Sequence, residues 1–393
     1  MSRDFLFGVI LGAPLPDSVG VQGAVPLWRG ARVTEKLEHL AIASNSSNRV
    51  GYRYHDRFRP SGSRAGLHSS ENRRRAPIMV ESSPKAFKTY NEQIALLRSR
   101  GMRIDDEGYA RAVLEQVNYY RLSGYWYSLR RMSDQSLHRC DEFVEGTSFE
   151  QVTALYDFDE RLRSQVFQVV SIIELALRAL LGHVLGRIDP QIHLNPNLLG
   201  SLARAPQSAG EPSADYNRWL GRYRREIGAS REDFVAHHNE TYGGRLPIWA
   251  AVEVMDFGLL NYLYRLSPDN VREDIAARVQ LTPAQLGSWI KSLNIVRNYS
   301  AHHARMFNRV YVLQPRLPRP GTNPGLDAVR GVMNRCFGQL TLIQHFIAAL
   351  DLRGRNVLPE VLATYPTTVA PVPISHIGAP QHWQELLLWR TNS

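Results

Sequence analysis

Apolar residues recur every three or four positions over most of the chain after residue 85, and this spacing predicts helices. The longest pattern covers residues 148–186, with Thr147 or Ser148 as its N-terminal cap. A second apolar face, formed by Phe167, Val170, Leu177 and Leu181, predicts that this helix lies at the centre of the protein. Its main apolar stripe consists of Leu155, Phe158, Leu162, Val166, Val169 and Ile173.

Shorter helical patterns lie on both sides of this helix. Two helices are predicted within residues 86–122, the first ending at Gly101 and the second capped by Asp105 or Asp106. Further helices are predicted over residues 219–227, from Pro247 to about Leu266, and over about 325–350. A short helix is also predicted to begin at Thr282, and a separate helix that contains the two histidines follows it. Because strand patterns are scarce, the predicted fold class is all-α.

Residues 1–78 differ from the rest in being rich in Gly, Ser, Pro and Arg, without a sustained helical or strand pattern. They predict a poorly ordered basic extension, with Met79 as a candidate native start, or else a basic tail that helps to hold RNA. The remaining chain is predicted to contain three parts. These are a helical and aromatic segment (79–147), a helical core (148–350) with an insertion at 187–245, and a C-terminal tail (351–393) that packs on the core.

The net charge of +10 is unevenly distributed, because residues 1–78 contain 12 Lys or Arg against 6 Asp or Glu. An interaction with RNA must therefore be argued from local residues. Cys140 and Cys336 are too few for a disulfide framework, which favours a reducing cytoplasm. No segment is long and apolar enough to predict a membrane span. The short apolar run Phe5–Pro14 makes a poor signal peptide.

Two histidines and three arginines concentrate between Leu293 and Arg309. Imidazole transfers protons near neutral pH, and guanidinium binds phosphate through two donors. Cleavage of RNA by its own 2′-hydroxyl requires a base, an acid and positive donors around the phosphate. The run therefore predicts metal-independent RNA cleavage, with no cofactor, in which His302 transfers protons and Arg297 stabilises the phosphate. One histidine cannot be acid and base in one concerted step, so His303 or a second subunit could supply the other group.

Helical spacing suggests how these side chains are arranged. Asn298, His302 and Arg305 share one face of a continuous helix, so Asn298 can hold the ring of His302. Arg297 lies about 140° around the helix from His302, so a helix end, a curled side chain or a second subunit must bring them together. His303 is predicted to face the core, on a stripe with Leu293, Val296, Ser300, Phe307 and Val310.

Other polar residues are candidates for the functional site, and most of them have two structural interpretations. Glu174 and Arg178, at positions i and i+4 within the apolar helix, form either a surface ion pair or an inward pair that positions catalytic groups. Aromatic residues and arginines alternate over 118–131, as either an aromatic core or an RNA surface. A cluster of arginines lies over 218–231 in the insertion. The candidate RNA-binding residues are Arg121, Tyr125, Arg130, Arg131, Arg222 and Arg225.

The segment Arg297–His302 resembles the R-N-x-x-x-H motif of the HEPN superfamily of nucleases. The longer run Leu293–Asn308 resembles the abortive-infection protein family (Abi-like, types D and F). Five further blocks are similar to that family in the same order, and the resemblance covers about residues 85–390. The blocks are Asn118–Tyr125, Glu174 with Arg178, Pro247-Ile248-Trp249, Glu253 with Phe257-Gly258, and Gly378-Ala379-Pro380 with Trp383.

The resemblance implies a HEPN-type helical bundle with helical insertions, RNA cleavage without a metal, and a role in phage defence or as a toxin. It implies that Arg297 and His302 are the catalytic pair and that Asn298 orients His302, with support from His303, Arg305, Glu174 and Arg178. The implied partners are substrate RNA, a bound structured non-coding RNA and a second copy of the chain. The competing hypothesis is an RNA-binding regulator with weak or repressed cleavage, which the arginine cluster supports and which predicts buried histidines.

Overall fold

The computed structural model describes residues 85–134, 138–205, 211–369 and 371–391. All of these residues belong to a compact unit, Ser83–Ser393. The all-α prediction is confirmed, because the described residues form thirteen α-helices and a single two-stranded sheet. The predicted basic extension over residues 1–78, the candidate start at Met79 and the apolar run Phe5–Pro14 lie outside the described residues.

The helices follow one another along the chain, with the longest connections before α4, α5 and α11. In chain order they are α1 (Tyr90–Ser99), α2 (Glu107–Gln116), α3 (Tyr119–Trp126), α4 (Phe149–Gly186), α5 (Ala214–Ala229), α6 (Asp233–Thr241), α7 (Ile248–Ala251), α8 (Phe257–Leu266), α9 (Asp269–Arg278), α10 (Pro283–Ala301), α11 (Pro324–Asp327), α12 (Cys336–Ala349) and α13 (Val357–Ala363). The sheet pairs β1 (Arg130–Met132) with β2 (Arg139–Phe143) in antiparallel register, with Arg130 opposite Phe143.

Helix α4 is the central helix, as predicted. It begins with a capping box in which the side chains of Ser148 and Gln151 each accept a hydrogen bond from the other's backbone N–H. The predicted apolar stripe is fully buried along its whole length. Helices α3, α7, α10, α12 and α13 pack against it. On the second apolar face, Val170, Leu177 and Leu181 are buried, whereas Phe167 is 39% exposed.

By length and composition, α4 is also apolar enough to cross a membrane, which contradicts the prediction that no segment is. The helix has 38 residues, and half of its most apolar window is buried inside the structure. Core helices of soluble proteins meet the same criteria, so this single helix is weak evidence for a membrane span.

Two predicted helices are each divided in the structure. The pattern after Pro247 gives α7 and α8 rather than one helix, because Met255 is extended and the carboxylate of Asp256 accepts a hydrogen bond from the Leu259 N–H at 2.6 Å. The pattern over 325–350 gives α11 and α12. Here the chain turns so tightly that a Cβ at Gly338 would lie 2.3 Å from the carbonyl oxygen of Val332. Conversely, the short helix from Thr282 and the histidine-bearing helix are one helix, α10.

Beside α5, His193 is a buried histidine that makes folding sensitive to acid. The residue is fully buried, and its Nε2 atom lies 3.2 Å from the Tyr223 hydroxyl. Burial lowers the pKa of His193 to about 4, whereas an unfolded histidine titrates near 6.5. Between these two values the unfolded chain binds more protons than the folded chain, so stability falls as the pH decreases through this window.

Between pH 7 and pH 5, we expect the free energy of unfolding to fall by about 2 kcal/mol less in His193→Gln than in the wild type, because glutamine does not titrate. Urea unfolding at the two pH values measures this difference. His183→Gln, which changes an exposed histidine on α4, is the control and should follow the wild type. An equal loss in all three proteins would show that His193 does not carry the acid sensitivity.

Candidate active site at the end of α10

Helix α10 positions the polar run and ends within it. A capping box between Thr282 and Gln285 starts the helix, and Ala301 is its last residue. His302 is the C-terminal cap, and its backbone N–H donates to the carbonyl of Asn298 at 3.0 Å. His303 then adopts a left-handed conformation with φ of +54°, where glycine is the usual residue in Schellman-type helix ends.

The end of the helix at Ala301 changes the faces that the sequence predicted. His302 and His303 are both exposed, so the prediction that His303 faces the core is wrong. The left-handed turn leads the chain away from the helix axis, and Val310 of the predicted stripe is 57% exposed for the same reason. Arg305 also does not share a helical face with His302, because it lies beyond the helix and reaches α3.

Arg297 is held beside α4 by three side chains. Its Nε atom lies 3.8 Å from Oε2 of Glu174, and its guanidinium carbon lies 5.7 Å from the centre of the Phe167 ring. Its Nη1 atom lies 3.5 Å from Oδ1 of Asn298. The Arg297 side chain is nevertheless 32% exposed. The guanidinium is therefore oriented while part of it remains accessible to a ligand.

The Glu174–Arg178 pair is turned inward. Glu174 is 8% exposed, and its Oε1 atom accepts a hydrogen bond from Nη2 of Arg178 at 2.5 Å. Nη1 of Arg178 donates to the carbonyls of Val252 and Glu253 at 2.6 and 3.0 Å. The pair thus joins α4 to the segment after α7, and it leaves the second oxygen of Glu174 facing Arg297.

The structure does not bring the Asn298 side chain to the His302 ring. The amide of Asn298 lies against Arg297, and Asn298 contacts His302 through the backbone hydrogen bond alone. No residue in the described part of the chain forms a hydrogen bond with the imidazole of His302. Because His302 is also exposed, a substrate can approach its imidazole from solvent.

A buried carboxylate, that of Asp159 in α4, fixes the chain directly after His303. Asp159 is fully buried. It accepts hydrogen bonds from the hydroxyl of Tyr125 (2.7 Å), Nη1 of Arg163 (2.6 Å) and the backbone N–H groups of Met306 (3.2 Å) and Phe307 (2.6 Å). Burial raises the pKa of Asp159, whereas Arg163 and these hydrogen bonds oppose the rise. Because the Arg163 guanidinium and both backbone N–H groups can only donate, and Arg163 supplies a counter-charge, we assign the ionised form, with the Tyr125 hydroxyl donating to it.

The importance of Asp159 was missed at the level of sequence. A signal was present, because Asp159 and Arg163 stand at positions i and i+4 inside the apolar stripe of α4. Glu174 and Arg178, which were predicted as candidates, have the same i and i+4 spacing in the same helix.

Helix α3 supports the same segment from another side. Nη1 of Arg121 donates to the carbonyl of His303 at 2.6 Å, and Arg305 donates to the carbonyl of Gly124. A Cβ at Gly124 would lie 3.2 Å from Cδ of Arg305, so glycine permits this close approach. Burial lowers the pKa of Arg305. Arg305 therefore acts in packing, away from the imidazole it was predicted to accompany.

Asn308 connects the segment to the C-terminal block. Its Nδ2 atom donates to the hydroxyl of Ser128 at 2.8 Å, and its Oδ1 atom accepts from Arg335 at 3.1 Å. Arg335 also donates to the carbonyl of His376 at 2.9 Å. Gly378 has a φ of +90°, and a Cβ there would lie 2.7 Å from Cβ of Arg335.

The candidate RNA-binding residues have unlike environments. Tyr125 is fully buried and its hydroxyl binds Asp159, so the prediction that its ring stacks on RNA is wrong. Arg130 pairs with Asp141 at 3.0 Å and is only 17% exposed. Arg222 pairs with Asp256 at 2.9 Å but is 40% exposed. Among these candidates, Arg131 and Arg225 are exposed, and no described residue forms a hydrogen bond or ion pair with their side chains. Arg121 is also exposed, with one nitrogen engaged as above.

Together these contacts define an all-α protein with a polar site where a helix ends, held by two neighbouring helices. Within the described ranges, no group of three His, Cys, Asp or Glu residues could hold a metal ion. The model of the Abi-like protein family matches residues 112–308, half of the chain. The chain therefore belongs to the Abi-like family. No curated protein and no solved structure matches it. The matched range includes all of the motif blocks except Gly378–Trp383.

We expect Asp159→Asn to lower the free energy of unfolding by about 3–5 kcal/mol, because it leaves the Arg163 guanidinium buried without a counter-charge. Urea unfolding measures this loss. Glu160→Gln removes a neighbouring carboxylate that is exposed, and it serves as the control. If both variants unfold at the same urea concentration, the Asp159 network does not hold the segment after His303.

Proposed function

We propose that this Abi-like protein is a metal-independent endoribonuclease of the abortive-infection or toxin type, which acts in the cytoplasm in phage defence. The observation that carries the proposal is the pair of groups at the end of α10. Arg297 is oriented and partly exposed, and His302 presents an imidazole to solvent. Membership of the Abi-like family supports the defence role.

In this proposal the substrate supplies its own nucleophile. The 2′-hydroxyl of RNA attacks the adjacent phosphorus, the bond to the 5′-oxygen breaks, and a 2′,3′-cyclic phosphate and a 5′-hydroxyl form. His302 transfers a proton in this step, and Arg297 stabilises the negative charge that accumulates on the phosphate. DNA lacks the 2′-hydroxyl and is therefore not a substrate.

We further propose that two copies of the chain complete the site. Arg297 faces α4, whereas His302 caps the helix about 7.5 Å further along its axis. A second copy related by a two-fold axis would add another imidazole and another guanidinium, and so supply both an acid and a base. His303, which is exposed next to His302, is the alternative source of the second group.

An RNA-binding regulator that holds a structured non-coding RNA is the second candidate function. The unpaired arginines Arg131 and Arg225 favour it. Two observations weigh against it. The histidines are exposed where the regulator predicts burial, and the arginine cluster of the insertion is partly neutralised by the Arg218–Asp215 and Arg222–Asp256 ion pairs.

We expect purified protein to cleave labelled RNA in EDTA. His302→Ala and Arg297→Ala should each lower the rate at least about a hundredfold, because each removes a group that acts on the transition state. Gel analysis of the labelled RNA, including its 2′,3′-cyclic ends, measures the products. Arg319→Ala, which removes an exposed arginine outside α10, is the control and should cleave normally. Full activity in His302→Ala would remove that residue from the mechanism, and tight RNA binding without cleavage by the wild type would favour the regulator.

A mixture of wild type with a threefold excess of His302→Ala tests the shared site. If the acid and the base are the His302 side chains of two subunits, random pairing places three quarters of the wild-type chains in mixed dimers that lack one imidazole, so the rate per wild-type chain should fall to roughly a quarter. The same amount of wild type without the variant is the control. An unchanged rate per wild-type chain would mean that one chain acts alone.

A further inference from the structure

A groove lies on α4 next to the Arg297 site. It has a volume of about 610 Å³ and runs between α4 and the turn before α13. Ile172 and Leu175 line one side, and Arg353 and Gly354 line the other. Gly354 has a φ of +93°, which lets the turn form this wall.

Phe167 connects the groove to the candidate active site. Its ring lines the groove, and it also lies under the Arg297 guanidinium at 5.7 Å. Phe167 is 39% exposed, although it belongs to the central helix of the protein. An aromatic ring in this place offers a surface on which any nucleic-acid base can stack.

The charge of the groove matches a phosphate. Arg353 is the only charged residue among the described residues that line it. Arg353 is exposed, and no hydrogen bond or ion pair from a described residue engages its side chain. At the Arg297 end, the negative charge of Glu174 is already balanced by Arg178. A ligand that lies in the groove therefore meets the positive charge of Arg353 and the apolar surface beside it, and Arg297 lies next to the groove, against Phe167.

We propose that this groove binds the single-stranded part of the RNA next to the scissile phosphate, with one base on Phe167 and one phosphate on Arg353. The inference depends on the proposed ribonuclease function and adds a substrate-binding site to it. Stacking on a phenyl ring is tolerant of sequence, and guanidinium binds phosphate without reading the base. The groove should therefore select unpaired RNA rather than a particular sequence.

The experiment measures binding of a labelled single-stranded 12-mer by fluorescence anisotropy, in the His302→Ala background so that the RNA stays intact. Phe167→Leu should weaken binding roughly tenfold, because it removes one stacking surface. RNAs that each lack one base at a different position are then compared. At one position, loss of the base should weaken binding to the His302→Ala protein. The same loss should not weaken binding to the Phe167→Leu variant any further, because the stacking ring is already absent. The control is Phe87→Leu, which changes a phenyl ring that is 87% exposed ahead of α1.

Arg353→Gln tests the phosphate contact independently. It should weaken binding of every RNA sequence by a similar factor and reduce the salt slope of log K by about 0.7, the value for one phosphate contact on a single strand. Arg319→Gln removes another exposed arginine and should leave both quantities unchanged.

The outcomes separate this inference from the proposed function. If Phe167→Leu and Arg353→Gln bind RNA like their controls, the groove is not an RNA site, even where cleavage depends on His302. If the wild type does not cleave but the two substitutions weaken binding as described, the groove stands and the ribonuclease proposal fails. Light scattering of each variant then measures its oligomeric state. A change from dimer to monomer would show that Phe167 belongs to a contact between subunits and would overturn the RNA site.

Discussion

The buried carboxylate of Asp159 is the interaction on which the arrangement of the candidate site depends. An ionised group without access to water is tolerated only when its hydrogen-bonding capacity is satisfied. Here two of the four donors are backbone N–H groups of the segment that follows the histidines. A charge in the core therefore fixes the segment that follows α10, although Asp159 lies 147 residues before Met306 in the chain. Moving that segment would leave both Asp159 and Arg163 unsatisfied.

The two halves of the polar motif are supported by different parts of the fold. Arg297 depends on Glu174, which is itself held by Arg178 and, through Arg178, by the carbonyls after α7. The segment after His302 depends instead on α3 and on Asp159. Two of the sequence blocks that resemble the Abi-like family, Asn118–Tyr125 and Glu174 with Arg178, thus contact the C-terminal part of α10 and the segment after it, although they are far apart along the chain.

Local patterns were sufficient to predict the all-α class, the extent of α4 and the caps of α2, α4 and α10, because these features depend on residues within one or two turns. They were not sufficient to predict where α10 ends. The apolar spacing continues through His303 and Phe307, but hydrogen bonds to Asp159 stop the helix at Ala301. The exposure of Phe167 was missed for a related reason. Its burial depends on whether a neighbouring element covers that face of α4, and its own helix carries no information on this point.

The two candidate catalytic side chains differ in how they are held. The side chain of Arg297 is held in place by Glu174, Phe167 and Asn298, so its donors are oriented before a ligand arrives. His302 is held only through its backbone, by the hydrogen bond to Asn298 and by the fixed chain that follows. An ionised phosphate ligand needs an oriented positive group, whereas a proton-transfer group must reach whichever oxygen gains or loses the proton. In the proposed mechanism, the orientation of the imidazole therefore comes from the bound RNA or from the second subunit.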